Sequence, residues 1–248
     1  MKTENLFDVL ATNEYPGRGI VLGIDETGEN AVIAYFIMGR SVNSRNRVFE
    51  ESEDGIITKA YDESLMTDPH LIIYAPVRDL GDGRTIVTNG DQTDTIRDFL
   101  LEGKCWEDAL RTRTFEDDQP NCTPRISGLV TVKDGAAMYQ LSILKSDAND
   151  DTSVQRFFYD YPQPKAGVGH FIHTYMGNGS PLPSFEGEPE KVTISGDIEE
   201  FALRTWDSLN DDNKVSLYVS FINVKTGDAD SIIINKHEQE EPAGDDEE

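Results

Sequence analysis

Residues 18–38 read RGIVLGIDETGENAVIAYFIM, two apolar runs separated by a short polar segment. The runs at 18–24 and 31–38 are enriched in β-branched residues, a composition typical of strands. The segment Asp25–Gly28 between them has the polar residues and the closing glycine of a hairpin turn. The stretch therefore predicts two strands that pair in an antiparallel ribbon.

The same pattern continues along the chain. A second turn is predicted at Lys133–Gly135, again between two apolar runs. Further strands are expected at 70–76, 84–88, 126–132, 136–144, 154–160, 168–174, 215–224 and 230–235. Sheets that are largely antiparallel follow from this arrangement.

Helices are fewer than strands. From Thr93 to about Arg113, apolar residues recur at near-helical intervals that Gly103 interrupts, which predicts two helical pieces. A third helix is expected from about Asp197 to Leu209, with Ser195 or Asp197 as its cap. Few helices around apolar-faced sheets indicate the α+β class, with two sheets packed together and covered by helices.

Length and composition favour one domain. The chain has 248 residues, of which 37% are hydrophobic, enough for one large core. Residues 236–248 contain many acidic and no large apolar side chains, so a disordered tail is predicted there. The expected organisation is a single catalytic domain at 1–235 followed by this tail.

The charge of the chain limits its partners. With 22 Lys and Arg against 47 Asp and Glu, the formal net charge is −25, which argues against nucleic acid or an anionic membrane as a partner. No apolar stretch approaches the roughly 20 residues of a membrane span, and no signal core follows the first residues. A cytoplasmic location is therefore expected.

Metal or disulfide chemistry has little support in the sequence. Cys105 and Cys122 are the only cysteines, and they lack metal-ligand spacing. His170 and His173 are three apart in a predicted strand, so they should point to opposite faces. No metal site is predicted.

The segment 39–47, GRSVNSRNR, reverses the acidic character of the chain. It places Arg40, Arg45 and Arg47 beside Ser and Asn side chains. Guanidinium groups recognise phosphate or carboxylate with two parallel hydrogen bonds, and hydroxyl or amide groups can complete the shell. The cluster is a candidate anion site, and a solvated basic turn is the alternative.

Two further polar segments follow predicted strands or lead into them. The segment Thr88–Asp94, TNGDQTD, closes one strand and opens a helix, where free amides could face an anion or simply be capped. The segment Phe115–Ile126, FEDDQPNCTPRI, holds Glu116, Asp117, Asp118 and Arg125. Such a loop offers both acidic and basic groups, although acidic loops are usually only solvated.

Taken in order, these segments resemble the archaeal-type IMP cyclohydrolase family. The resemblance covers roughly residues 15–175 and rests on Gly17-Arg18-Gly19, Ala34-Tyr35, Arg40-Ser41, Asn46-Arg47, Tyr74, Thr88–Asp94 and Asn121–Arg125. It implies the four-layer αββα sandwich of N-terminal-nucleophile hydrolases, without use of an N-terminal nucleophile. It also implies ring closure of 5-formamidoimidazole-4-carboxamide ribonucleotide to IMP with loss of water, a purine nucleotide as the small-molecule partner, and no cofactor.

The resemblance also suggests roles for individual residues. It implies Arg47, Tyr74 and Glu116 as catalytic or orienting groups. The substrate is expected to be bound by residues of the three polar segments, namely Arg40, Ser41, Arg45, Asn89, Gly90, Thr93, Asp94, Thr123 and Arg125.

Several alternatives stay open at this point. The loop between Ser41 and Asn46 is longer than the family pattern, so Arg45 can take the place of Arg47, and a shift in the next loop can exchange Glu116 for Asp117. A nucleotide-binding protein without this activity and an acidic interaction protein are the other functions considered. Homo-oligomer formation is not decided by the sequence.

Overall fold

Two antiparallel sheets form the framework of the protein. The structure is a computed structural model that describes residues 2–66, 73–148 and 150–240. One sheet has six strands, in the spatial order β11 (Glu190–Thr193), β10 (Val168–His173), β1 (Arg18–Ile24), β2 (Asn30–Met38), β12 (Lys214–Asn223) and β13 (Ala229–Asn235). Every neighbouring pair in this sheet is antiparallel.

The second sheet has seven strands that follow chain order. They are β3 (Val48–Ser52), β4 (Gly55–Lys59), β5 (Val77–Asp79), β6 (Arg84–Thr88), β7 (Arg125–Lys133), β8 (Ala136–Asp147) and β9 (Asp150–Tyr161). Each is antiparallel to its neighbour. The chain therefore crosses from the first sheet to the second between β2 and β3.

The helices of the described residues precede, separate or follow these strands in the chain. They are α1 (Leu6–Thr12), the single turn α2 (Val42–Arg45), α3 (Gln92–Leu101), α4 (Trp106–Arg111), α5 (Ile198–Ser208) and α6 (Lys236–Glu240), with a 3₁₀ turn at Glu63–Leu65. Within the described ranges, none of the helices has the length and apolar character needed to cross a bilayer.

Three apolar cores place the layers in order. The inner faces of the sheets meet through residues such as Ile20 and Tyr35 on one side and Ile126 and Leu141 on the other. The outer face of the six-stranded sheet packs against α1 and α5, and that of the seven-stranded sheet packs against α3 and α4. The order is helices, sheet, sheet, helices, which confirms the predicted α+β class with two antiparallel sheets face to face.

The hairpin between β1 and β2 is held by one carboxylate. Asp25 accepts hydrogen bonds from the amides of Glu29 and Asn30 at 3.0 and 3.1 Å and from the Thr27 hydroxyl at 2.7 Å. Gly28 adopts a φ of 76°, which a residue with a side chain rarely takes. The turn composition read from the sequence thus corresponds to a specific bonding pattern around Asp25.

Most predicted elements are present, with small changes at their ends. The helical stretch near Gly103 is indeed two helices, and Asp197 caps α5 by accepting from the Glu200 amide at 2.9 Å. Four further strands that the sequence pattern does not indicate are β3, β4, β5 and β11. In β3 the adjacent Glu50 and Glu51 are both exposed, which hides the alternation expected of a strand.

Two predictions need correction. The strand expected at 70–76 lies partly outside the described residues, and the described part, 73–76, is not a strand, because Pro76 has no N–H for the ladder and β5 begins at Val77. The acidic tail was predicted to be disordered from residue 236, but Lys236–Glu240 form α6. The ring of His237 in α6 stacks on Tyr61 with 4.1 Å between centroids, which anchors this turn. Residues 241–248 lie outside the described residues.

Candidate active site

A cavity of about 330 Å³ lies at one end of the sandwich, where segments from both sheets meet. β1 begins there at Arg18 and β2 ends there at Met38. The loop that leads into β7 supplies a further part of the wall. The lining residues are Tyr15, Arg18, Met38, Arg40, Ser41, Asn43, Ser44, Arg47, Glu116, Asp118, Asn121, Thr123, Tyr175 and Leu182.

A buried ion pair between Arg18 and Glu116 forms part of this wall. Nη2 of Arg18 lies 2.8 Å from Oε1 of Glu116, and the two side chains are only 13% and 8% exposed. Burial lowers the pKa of Arg18, but the attraction of Glu116 and of nearby tyrosines outweighs it, so that the pKa of Arg18 lies above its ordinary value. The pair presents opposite charges side by side to whatever enters the cavity.

Three tyrosines influence the charge of the Arg18 guanidinium. Tyr175, Tyr74 and Tyr35 all contribute to its electrostatic environment. The hydroxyls of Tyr35 and Tyr74 are 2.8 Å apart and buried. Tyr74 is not among the residues that line the cavity, and its hydroxyl contacts Tyr35 instead. Nε of Arg18 is buried and has no hydrogen-bond partner among the described residues.

The loop that carries Glu116 is braced by its own backbone. The Glu116 amide donates to the Thr123 carbonyl at 2.9 Å, and the Asn121 amide donates to the Asp118 carbonyl at 3.1 Å. The Asn121 side chain in turn accepts from the Leu182 amide at 3.2 Å, across the cavity rim. These bonds fix the positions of both Glu116 and Asp118 at the wall.

Asp118 is connected to Tyr175 through one hydroxyl. Thr123 donates its amide to Oδ1 of Asp118 at 2.7 Å and its hydroxyl to Oδ2, and the same hydroxyl is bonded to the Tyr175 hydroxyl. Burial raises the pKa of Asp118, and the charge of Glu116 adds to this effect, while the bonds from Thr123 and the charge of Arg18 oppose it. Burial likewise raises the pKa of Tyr175.

The arginine segment forms the turn α2, and two of its three arginines face the cavity. Ser41 and Ser44 cap this turn reciprocally, with the Ser44 amide donating to the Ser41 hydroxyl at 3.1 Å. Arg47 donates from Nε to the Ser44 carbonyl at 2.8 Å and from Nη2 to the Met38 carbonyl at 3.2 Å. Arg47 therefore shapes the loop as well as lining the cavity.

Arg40 lies at the cavity rim. Its Nη1 donates to Oδ1 of Asn178 at 2.5 Å and to the Gly179 carbonyl at 2.9 Å. The guanidinium carbon lies 5.0 Å from the centre of the Tyr15 ring, in the geometry of a cation–π contact. Arg40 thus joins the loop after β2 to the segment after β10.

Arg45 is directed away from this cavity. Its Nε donates to the Gly39 carbonyl at 3.0 Å and its Nη2 to Oδ1 of Asn213 at 3.3 Å. It lines a separate cavity with Lys214 and His237. The sequence leaves open whether Arg45 or Arg47 takes the catalytic position. In the structure, Arg47 lines the candidate site and Arg45 does not.

The segment Thr88–Asp94 serves mainly as a structural junction. Asn89 donates to the Pro124 carbonyl at 2.8 Å and accepts from the Ile126 amide at 2.9 Å, which ties β6 to the start of β7. Thr93 donates to the Gly90 carbonyl at 3.0 Å. Neither Asn89 nor Thr93 lines the cavity, because their polar atoms are already used in the fold.

Asp94 and Arg125 are also engaged elsewhere. Asp94 accepts from Arg78 at 2.7 Å, and Arg125 pairs with Asp91 at 2.7 Å. Gly90 does not line the cavity but is next to it. A Cβ atom on Gly90 would lie 2.5 Å from Nη1 of Arg125 and 3.5 Å from Oε1 of Glu116. Glycine at this position therefore permits close packing behind the carboxylate.

The structure brings three residues to the cavity to which the family resemblance gives no individual role. In the sequence, Arg18 is part of the Gly17-Arg18-Gly19 motif, and its signal is a charged residue at the start of an apolar strand. Asp118 lines the cavity, whereas the alternative Asp117 is exposed and does not. Tyr175 follows β10 and gave no signal, because its partner Thr123 is 52 residues away in the chain.

The histidines of β10 contact different neighbours. The His170 ring stacks on Tyr161 with 3.8 Å between centroids, and burial lowers the pKa of His170 to about 4. Nε2 of His173 lies 3.0 Å from Oε1 of Glu190. Neither histidine lines the candidate site.

Comparison with known proteins identifies relatives of this chain. The family described as IMP cyclohydrolase-like protein matches residues 15–228. A stretch of 124 residues is 34% identical to the IMP cyclohydrolase of Methanosphaera stadtmanae and spans 48% of this chain and 59% of that protein. A stretch of 174 residues is 30% identical to the IMP cyclohydrolase of Methanopyrus kandleri and spans 68% of this chain and 79% of that protein.

The family match covers most of the chain and includes all the segments that line the cavity. It also extends beyond residue 175, where the resemblance seen in the sequence ends. The chain therefore belongs to the IMP cyclohydrolase-like protein family.

Proposed function

We propose that the protein is an IMP cyclohydrolase, which closes the ring of 5-formamidoimidazole-4-carboxamide ribonucleotide to give IMP and water. Its family and two archaeal relatives of that name support the proposal. The observation that carries it is the buried Arg18–Glu116 pair, which shares a cavity with Arg40 and Arg47.

The charges of the cavity suit an anionic substrate. Three guanidinium groups, those of Arg18, Arg40 and Arg47, line it in a chain whose net charge is −25. Such a local reversal of charge attracts phosphate that the rest of the surface repels. The volume of about 330 Å³ lies within the range of about 300–1,000 Å³ typical of small-molecule sites.

The reaction makes three demands on the site. The carboxamide nitrogen must be held against the formyl carbon of the same molecule, so orientation is a large part of catalysis. The formyl oxygen develops negative charge and needs a fixed donor or cation. The carboxamide nitrogen must lose a proton, and the oxygen that departs as water must gain protons.

The cavity residues can be assigned to these demands. Glu116 is the base, because its carboxylate is at the wall and is held there by Arg18. Arg47 faces the formyl or carboxamide oxygen. Tyr74 has a positioning role, since its hydroxyl is bonded to Tyr35 and does not line the cavity.

The phosphate of the substrate is assigned to Arg40 and the neighbouring Ser41 hydroxyl at the rim. The other residues expected to bind substrate have support roles in this proposal. Arg45, Asn89, Gly90, Thr93, Asp94 and Arg125 lie outside the cavity lining, and Thr123 belongs to the wall.

The proposal is tested by incubating the purified protein with 5-formamidoimidazole-4-carboxamide ribonucleotide and measuring IMP by chromatography. IMP formation above the uncatalysed rate supports the proposal, and its absence overturns it. Thermal stabilisation by IMP without turnover would instead indicate a nucleotide-binding protein, since a ligand that binds only the native state raises the unfolding temperature.

A further inference from the structure

Two carboxyl groups line the cavity, and their partners differ. Glu116 is paired with the Arg18 guanidinium. Asp118, two residues later in the same loop, has no cationic side chain within ion-pair distance among the residues that the structure describes. Its hydrogen bonds come instead from the amide and hydroxyl of Thr123.

The hydroxyl of Thr123 links Asp118 to the cavity wall at Tyr175. While Asp118 is ionised, Thr123 donates its one hydroxyl hydrogen to Asp118, so the Tyr175 hydroxyl donates to Thr123. A hydroxyl can donate one hydrogen bond and accept two. The donors and acceptors in this series of hydrogen bonds can therefore exchange roles when Asp118 is protonated. Tyr175 is then free to donate its hydrogen into the cavity.

The environment makes Asp118 easier to protonate than an ordinary aspartate. Burial raises its pKa, and the negative charge of Glu116 raises it further, against the opposing effects of Thr123 and Arg18. The titratable and charged groups that face Asp118 are Glu116, Arg18, Tyr175 and Cys122. Two carboxyl groups in one site with environments that differ in this way are suited to opposite roles, one as base and one as acid.

We propose that Asp118, Thr123 and Tyr175 form an acid arm, a series of hydrogen-bonded groups that protonates the hydroxyl that leaves as water. The acid arm gives a proton to the substrate, whereas Glu116 takes one from it. Tyr175 is the group that meets the substrate, and Thr123 and Asp118 are positioning residues that resupply its proton. The inference rests on the proposed function.

The proton transfers balance in two stages. In ring closure, the carboxamide nitrogen bonds to the formyl carbon and loses a proton to Glu116, which passes it to the formyl oxygen. In dehydration, the C–O bond breaks as Tyr175 protonates the oxygen, and protons move from Thr123 to Tyr175 and from Asp118 to Thr123. The former formamide nitrogen loses its proton to solvent and forms the C=N bond, and solvent restores the proton of Asp118. Two protons leave nitrogen and two reach oxygen, which departs as water.

The matched variants Thr123→Val and Thr123→Ser test the arm. Val keeps the shape of Thr and removes the hydroxyl, whereas Ser keeps the hydroxyl and loses the methyl group. We expect kcat for IMP formation to fall by about two to four orders of magnitude in Thr123→Val, with KM nearly unchanged, and to stay within about tenfold in Thr123→Ser. If Thr123 acts only through packing, kcat should fall more in Thr123→Ser than in Thr123→Val.

The pH profile supplies a second readout. An acid must be protonated to act, so the kcat of the native protein should decline as pH rises through the pKa of the arm, and this decline should be absent from the residual activity of Thr123→Val. Full kcat in Thr123→Val would overturn the acid arm and leave the cyclohydrolase proposal intact. Native protein that forms no IMP would overturn both.

If Thr123→Val does not fold, Tyr175→Phe takes its place, since it keeps the ring and removes only the donor. The carboxyl of Asp118 can also be titrated directly by ¹³C NMR in the native protein. A pKa above the ordinary aspartate value supports the arm, and a pKa below that value contradicts it.

Discussion

Arg18 and Glu116 are 98 residues apart in the chain, and their side chains meet at 2.8 Å with little solvent exposure. Arg18 begins β1 of the six-stranded sheet, and Glu116 belongs to the loop before β7 of the seven-stranded sheet. The pair therefore links the two sheets at the cavity. Its role in stability and its role in the proposed reaction can be separated experimentally.

The stability role is tested by Arg18→Met. Removal of the guanidinium leaves the Glu116 carboxylate buried without its cation, and such a loss costs about 3–5 kcal/mol of unfolding free energy. Chemical denaturation measures this quantity. The double variant Arg18→Met/Glu116→Leu should recover most of the loss, because an apolar pair carries no desolvation penalty.

The control for this stability prediction is Arg111→Met. The Arg111–Asp108 pair lies at the surface, with side chains 58% and 55% exposed. Surface pairs contribute about 0–1 kcal/mol, so a change in this range is expected. Equal losses in Arg18→Met and Arg111→Met would contradict a special role for the buried pair.

The catalytic role is tested by Glu116→Gln. The amide keeps the size of the side chain and cannot accept the substrate proton, so kcat for IMP formation should fall by about two to four orders of magnitude. Binding of IMP, measured by calorimetry, should change little. Glu102→Gln is the matched control, because Glu102 is exposed and its ion pair in the described part of the chain is with Lys104. A loss confined to affinity would show that Glu116 binds the substrate and is not the base.

Arg40 and Arg45 form a matched pair for the phosphate assignment. Arg40 lines the cavity, whereas Arg45 from the same segment lines another. A hydrogen bond to a charged group contributes about 1.5–3 kcal/mol, so Arg40→Ala should raise KM by about 10- to 100-fold. Arg45→Ala should change KM by less than about threefold. Steady-state kinetics of both variants test the assignment. A larger increase in KM for Arg45→Ala than for Arg40→Ala would contradict it.

The hairpin carboxylate Asp25 should give a pH-dependent contribution to stability. Burial raises the pKa of Asp25, but the hydrogen bonds it accepts lower the pKa more, so it titrates below its ordinary value. The unfolded chain then binds the proton more readily, and the stabilisation is present above the unfolded pKa and lost as pH falls through the folded one. Asp25→Ala should therefore lose more unfolding free energy at pH 7 than at pH 3, as measured by urea denaturation. An equal loss at both values would show that charge is not involved.

The sequence predicts elements well where local chemistry determines them. β1 and β2 are buried on both faces and read as continuous apolar runs, and Asp197 caps α5 as its position suggests. The sequence does not indicate β3, because the adjacent exposed residues Glu50 and Glu51 interrupt the alternation of apolar and polar residues expected of a strand. The single turn α2 is too short for periodicity, and it is defined by the Ser41–Ser44 cap instead.

The site was harder to predict than the fold, because polar residues serve turns and ligands equally well. Asn89 and Thr93 have the right chemistry for an anion site, but their polar atoms are used by the backbone around β6 and β7. Arg18 and Tyr175 belong to the cavity through contacts with loop residues that are far away in the chain. Only the three-dimensional arrangement shows which polar groups remain available to a ligand.

The cavity is made from the ends of strands in one sheet and a loop that leads into the other. A nucleotide bound between Arg40 or Arg47 and Glu116 would contact segments connected to both sheets and so link the two halves of the sandwich. A ligand that binds only the native state would stabilise it and would protect the amides of β1 and β7 together from hydrogen exchange. The concentration of substrate would in this way affect the stability of the folded protein as well as the rate of turnover.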